Sequence, residues 1–267
     1  MAKKTVWLTW LALGDDAVPP QPAVATLDQA GFDVAGAPWI DAPDDFAWCE
    51  LARHLAEDTR PDVWVIGAGA AELGELRHRF ALAMAVENVR TDCNPVPLVV
   101  LAGIDGAPDP ETLPTALRSC TLVDGSGTSW GTKVLVATAK PAAAPREPFR
   151  LRAIAQKMFG MWFEVGPTEI GGSGGASWDG AMFGVAGDAK ILEHAVGPRG
   201  VLPERTVLEY KLEGLELEVG DRTFVANAVK NAIDAESSYY VKIDGTPEHL
   251  LIGQHPDADP EVSIVSF

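Results

Sequence analysis

Residues 61–69, PDVWVIGAG, decide how the first half of the chain is read. Pro61 and Asp62 form a turn lead-in, Val63 to Ile66 are four consecutive apolar residues, and Gly67-Ala68-Gly69 closes the run. A short, continuously apolar, β-branched run between turn residues predicts a strand covered on both faces, as in a parallel sheet. The stretch from about Ala70 to Arg90 places Leu73, Leu76, Phe80 and Met84 three and four residues apart, the spacing of one helix face.

The same alternation extends in both directions. Upstream, TVWLTWLAL (5–13) predicts a first strand, Ala23 to Ala30 a helix stopped by Gly31, and FDVAGAPWI a second strand. Asp44-Asp45 opens a helix carrying Trp48, Leu51 and Leu55 inward. Downstream, PLVVLAG predicts a fourth strand, residues 110–119 a short helix, and CTLVD a fifth strand, with KVLVATA a possible sixth. Strands separated by helical crossovers give a parallel sheet with helices on both faces. The expected fold of residues 1–143 is therefore α/β, a flavodoxin-like doubly wound sheet. Its ligands would bind beyond the carboxyl ends of the strands, where Gly14, Asp15, Asp16, Gly67, Ala68, Gly69 and Asp105 fall. Of these, Asp15, Asp16, Gly67, Gly69 and Asp105 are the ligand-binding candidates.

PAAAPREP marks a linker near residue 143. Residues 144–267 are expected to begin with a helix from Pro148 to about Met161, with Leu151, Ile154 and Met158 inward. WFEV, TVLEYKLE, GLELEV, RTFVANAV, SYYVKID, HLLIG and EVSIVSF then predict a mainly antiparallel β domain, a sandwich or barrel with a glycine-rich loop on its rim. Leu215, Leu217 and Val219 would face one side and Glu216 and Glu218 water, with Gly220-Asp221 as a two-residue hairpin turn.

The first half resembles a response-regulator receiver domain. The resemblance rests on Asp15-Asp16 after the first strand, LDQAGFDVAGA, RPDVWVIG, PLVVLAG and Lys140-Pro141, across about residues 4–141. It implies a phosphoacceptor aspartate at the position of Gly67 and a hydroxyl at Ala102 or Gly103, and neither group is present. Without a carboxylate nucleophile a phosphoryl group has no acceptor. The resemblance thus implies a degenerate receiver-like domain, read by a protein partner or a small molecule.

Charge narrows the partners. The 267 residues hold 38 acids and 21 bases, a net charge of −17. The excess is spread evenly, with 19 acids and 10 bases up to residue 143 and 19 and 11 beyond it. Nucleic acid and anionic membrane surfaces both demand clustered cations, so neither is an expected partner. Arg146, Arg150, Arg152 and Lys157 form one local basic cluster, expected on a solvated helix face. Cys49, Cys93 and Cys120 have neither paired nor metal-like spacing, which suits a reduced cytoplasm. Lys3-Lys4 before an apolar run imitates a signal peptide but lacks a small-residue cleavage pattern before Gly14-Asp15-Asp16.

Several motifs suggest chemistry. Gly67-Ala68-Gly69 between strand and helix suits a nucleotide or flavin, although Glu72 stands where a dinucleotide fingerprint has its third glycine. GSGTSWGT (125–132) has the composition of a phosphate-cradling loop, or of a plain connection between strands. Gly171 to Gly175 matches G-x-S-x-G around Ser173, with Asp244 and His249 or His255 downstream, but lacks the helix that a nucleophile elbow requires. His249, His255, Asp257 and Asp259 have metal-ligating side chains, yet on an extended segment the two histidines stand at least ~19 Å apart. Tyr239, Tyr240 and Lys242 are expected as core and strand residues. The expected function is a binding or regulatory protein with no cofactor firmly implied. A nucleotide- or flavin-binding enzyme or sensor is the alternative, and a hydrolase using Ser173 or a His/Asp metal site a weaker one.

Overall fold

The computed structural model describes residues 3–11, 21–40, 42, 45–140, 147–168, 177–256 and 261–267. The chain divides into two units, residues 1–144 and 145–267.

In the first unit, β1 (Thr5–Trp10), β2 (Asp33–Pro38), β3 (Val63–Ala68), β4 (Leu98–Gly103) and β5 (Thr121–Asp124) form one sheet in the order β2-β1-β3-β4-β5. All neighbours are parallel, which gives the flavodoxin-like order with its switch point between β1 and β3. The expected α/β doubly wound fold is the observed one. Every residue of β3 is buried, as its unbroken apolar run requires.

One side of the sheet packs against α1 (Gln21–Gln29) and α6 (Trp130–Ala137), through Val6, Leu8, Val63 and Val65 below Leu27, Trp130 and Val134. Gly131 lets α6 approach α1, because a Cβ there would lie 2.5 Å from the Thr26 carbonyl oxygen. The other strand residues include Trp64, whose indole N–H donates to Thr9 Oγ1 at 3.0 Å inside the core. Helices α2 (Ala47–His54) and α4 (Leu76–Asp92) pack together, with Trp48 edge-on to Phe80. The unit also holds short helices α3 (Ala70–Gly74) and α5 (Thr115–Arg118), a π-helical turn Leu55–Thr59 after α2 and a 3-10 turn Pro110–Thr112.

Two local expectations change in this unit. The single helix from Ala70 to Arg90 is two, because Glu75 is extended (φ −86°, ψ 125°) and breaks the ladder between α3 and α4. KVLVATA is not a strand but the body of α6, where Trp130 and Val134, four residues apart, are buried while Leu135 and Val136 are exposed. β-branched residues fit either element, and packing against α1 selects the helix. Lys140 therefore follows a helix and not the last strand, so the correspondence with a receiver's Lys-Pro is lost.

The second unit is built from antiparallel sheets, as expected. β6 (Phe149–Gln156), β7 (Gly160–Pro167), β12 (Ser237–Asp244) and β9 (Lys190–Pro198) make a sheet in the order β6-β7-β12-β9. β10 (Leu212–Val219), β11 (Arg222–Ile233), β8 (Trp178–Ala186), β13 (His249–Gly253) and β14 (Val262–Ser266) make another, in the order β10-β11-β8-β13-β14. Phe163 of β7 meets Phe183 of β8, ring centroids 5.3 Å apart, where the two sheets face one another.

The expected helix at 148–161 is instead the β6–β7 hairpin. Phe149, Leu151, Ala153 and Ala155 are buried and alternate with half-buried Arg150, Arg152 and Ile154, which is the period of a strand. Gly160 (φ +76°) helps close the turn, leaving Met158 90 % exposed where a helix would have buried it. TVLEYKLE contributes to a strand only from Leu212 onward. β8 and β9 were not signalled by clean alternation, since β8 holds glycine at 180 and 184. The Gly220-Asp221 hairpin forms as expected, with Gly220 at φ +65° and Val219 opposite Arg222.

Candidate functional site at the crest of the parallel sheet

The crest is assembled by the ends of β3 and β4 and the start of α3. Gly67 belongs to β3 itself: its carbonyl accepts from the Leu11 N–H at 2.8 Å, and it lies beside Ala102 of β4. A Cβ on Gly67 would meet Ile104, Thr9 and Trp10 at ordinary contact distances of 3.8–3.9 Å. Neither a turn nor a close approach needs glycine there. The position has space for a Cβ, and neither it nor Ala102 supplies a carboxylate or hydroxyl.

Gly69 behaves differently. It precedes α3 with φ −88° and ψ 170°, a conformation open to any residue. A Cβ would, however, stand 2.6 Å from Glu72 Oε2 and 3.3 Å from Asp105 Oδ2. The absent side chain makes room for two carboxylates. Gly69 N–H donates to Glu72 Oε2 at 3.0 Å, and Ala70 N–H donates to Asp105 Oδ2 at 2.9 Å. Glu72, the third residue of α3, thus caps its own helix, and it is buried. Asp105 does the same from the β4 loop, 35 residues away in sequence.

Of the sequence candidates, then, the fold brings Gly67, Gly69 and Asp105 to one crest. Gly14, Asp15 and Asp16 lie outside the described residues. Glu72 was noted as a departure from a fingerprint, and its role as a cap was legible in its position three residues after Gly69. α3 has five residues and so little accumulated dipole. The glycine-rich loop after β5 is likewise self-satisfied at its start: Ser126 donates to Asp124 Oδ1 from its N–H at 3.0 Å and its hydroxyl at 2.6 Å. Those bonds hold the Asp124 carboxyl below its ordinary range.

In the second unit, Ser173 and its flanking glycines, and Asp257 and Asp259, lie outside the described residues. His249 accepts from Arg222 Nε at 3.1 Å through Nε2, which leaves Nδ1 to donate to Ser266 Oγ at 3.1 Å. His249 opens β13, whereas the Cβ of His255 lies beside Gly180 beyond the strand's far end. Among the described residues no group of three His, Cys, Asp or Glu side chains is placed to hold a metal ion.

Tyr239 and Tyr240 are fully buried strand residues, as expected, but each anchors a polar network that sequence reasoning missed. Glu164 of β7, 3 % exposed, accepts at Oε1 from Gly200 N–H (2.7 Å), Ser238 Oγ (2.8 Å) and Tyr240 Oη (3.2 Å). Burial and the Glu164 charge push the Tyr240 phenol up to about 12. Arg150 donates to the carbonyls of Pro167 (2.7 Å), Asp234 (3.1 Å) and Ser237 and to Ser238 Oγ (2.9 Å), tying β6 to β12. The basic cluster read as a solvated helix face is therefore partly a half-buried clamp between strands. Its signal was the alternation Phe149-Arg150-Leu151-Arg152. In the other network His194 of β9 joins Tyr239 Oη at 2.7 Å and Glu213 Oε1 of β10 at 3.1 Å. Burial lowers the His194 pKa although Glu213 opposes the shift.

Fold and site together define a flavodoxin-like α/β unit with an internally capped crest, followed by an antiparallel β unit. No family model and no curated protein matches the chain. Among solved structures, the apo form of translation elongation factor SelB from Methanococcus maripaludis is similar at a TM-score of 0.30 and 10 % identity, covering 100 % of this chain and 80 % of that one. Likeness at that level transfers neither fold nor activity. No described helix is long and apolar enough to cross a membrane.

Proposed function

We propose that the chain is a binding or regulatory protein whose α/β unit acts as a recognition module without phosphoryl or nucleotide chemistry. The observation that carries this reading is the occupation of the Gly69 and Ala70 N–H groups by Glu72 and Asp105. A phosphate at a strand-to-helix turn is held by free N–H groups in a field that favours negative charge. Here two carboxylates take those donors and oppose an anion. A receiver's aspartate is also lacking at position 67, so the crest has no nucleophile there. A nucleotide or flavin would have to displace both caps.

Native mass spectrometry of the purified protein tests this directly, with a thermal-shift series of nucleoside phosphates and flavins alongside. The expected result is no retained nucleotide and no shift, since a ligand specific for the folded state raises the midpoint. A bound nucleotide or flavin, or a shift abolished by Gly69→Ala, would sink the proposal. Acetyl phosphate should likewise leave the mass unchanged.

A further inference from the structure

We propose that the groove between β5 and α6 binds an acidic, extended segment of a partner protein, which adds to the free edge of the parallel sheet. This inference rests on the binding-protein reading above and names the chemistry of the partner. β5 is the last strand in the order β2-β1-β3-β4-β5, so among the described residues one side of it pairs with no strand. An unpaired strand edge is a template for another strand. Beside it runs a cavity of about 360 Å³, lined on the β5 side by Thr121 and Leu122 and on the α6 side by Thr132, Lys133, Val136 and Lys140. The floor is partly apolar, with Val136 58 % exposed.

Charge selects the occupant. In a chain of net charge −17, this groove is lined by two exposed lysines and no carboxylate. Lys4 adds a third cation nearby, its Nζ donating to the Thr138 carbonyl at the end of α6 at 3.1 Å. The nearest acid along β5, Asp124, lies outside the groove lining, where it accepts both Ser126 donors and also feels the Lys133 charge. Lys133 and Lys140 lie seven residues apart on and just past α6, roughly 10 Å at helical rise. That distance is about three residues of a strand, midway between the two- and four-residue repeats of one strand face, and the flexible four-carbon lysine stems span the difference. An extended segment alternating acidic and apolar residues presents its carboxylates on one face, within reach of both lysines, and its apolar side chains on the other.

The test is fluorescence anisotropy with a labelled, end-capped peptide of alternating glutamate and valine, seven residues long, added to the full chain. Expected is saturable binding that falls steeply with salt and weakens at least tenfold in K133E/K140E. Both sites are exposed, and an unchanged melting temperature confirms that the variant folds. The lysine–valine counterpart should bind the reversed variant and not the original. N-methylation of alternate amides along the strand-pairing edge should remove binding, while methylation of the opposite edge should not. Equal binding of acidic and basic peptides, or full affinity in K133E/K140E, overturns the proposal. Survival of binding with either methylated edge overturns strand addition. A dimer in light scattering that dissociates in K133E/K140E would show a second copy as the occupant instead, and would also overturn it. Failure of the underlying reading is registered separately, as a nucleotide retained in native mass spectrometry.

Discussion

Replacing Glu72 by alanine tests whether the crest of the parallel sheet is a capped structural element or an open site. The side chain is 8 % exposed, and its Oε2 accepts the Gly69 N–H at 3.0 Å. A hydrogen bond to a charged group contributes about 1.5–3 kcal/mol, and alanine returns roughly 0.4 kcal/mol of helix propensity over glutamate. The expected loss is therefore on the order of 1–2.5 kcal/mol. For a unit of this size that corresponds to a fall in Tm of roughly 2–10 °C. Tryptophan fluorescence in urea is a suitable assay, because six of the eight tryptophans lie before residue 144 and report mainly on the first unit. Glu72→Gln keeps an acceptor in place and should cost less, about 1 kcal/mol, as a charged bond becomes a neutral one. If Glu72→Ala unfolds within ~0.3 kcal/mol of the parent, the N–H is not held by this carboxylate and the capped-crest reasoning fails. Glutamine proving worse than alanine would refute it equally.

Gly131→Ala should destabilise by about 1–3 kcal/mol despite its better helix propensity, because the new Cβ would press on the Thr26 carbonyl 2.5 Å away; thermal unfolding reads this, and a stabilised variant would mean that α1 and α6 are not in close contact. The His194 pKa is lowered in the fold, so the unfolded chain binds more protons over the window below the free histidine value near 6.5. Stability from this group is full above that value and is lost as pH falls through the folded pKa. His194→Asn, which retains an acceptor for Tyr239, should flatten that part of the pH profile of urea midpoints. Burial pushes the thiols of Cys93 and Cys120 up to about 11 and leaves Cys49 half-buried, so a thiol reagent at pH 8 should label Cys49 first and the other two only on denaturation.

How much of this was legible beforehand depends on the range of the interaction that decides each feature. β3 was readable because Val63 to Ile66 are apolar without interruption, and only a strand covered on both faces needs that. Leu215, Leu217 and Val219 against Glu216 and Glu218 were readable for the complementary reason, a single buried face. The β6–β7 hairpin was not. Leu151, Ile154 and Met158 also satisfy a helical spacing, and the choice went to the strand through pairing with residues up to 18 positions away. At the crest, Glu72 is a local cap and could be foreseen, whereas Asp105 reaches Ala70 only because β3 and β4 are neighbours.

The sequence by itself determined the five parallel strands of the first unit and the helices that separate them, the antiparallel character of the second and the even spread of acidity. Those features follow from which faces of short segments must leave water. The tertiary structure alone decided that α6 is a helix, that Arg150 clamps Asp234, Ser237 and Ser238, and that two crest N–H groups are already taken. Backbone and charged groups must find partners when buried, and those partners are supplied by residues distant in the chain, which hydrophobic periodicity does not encode.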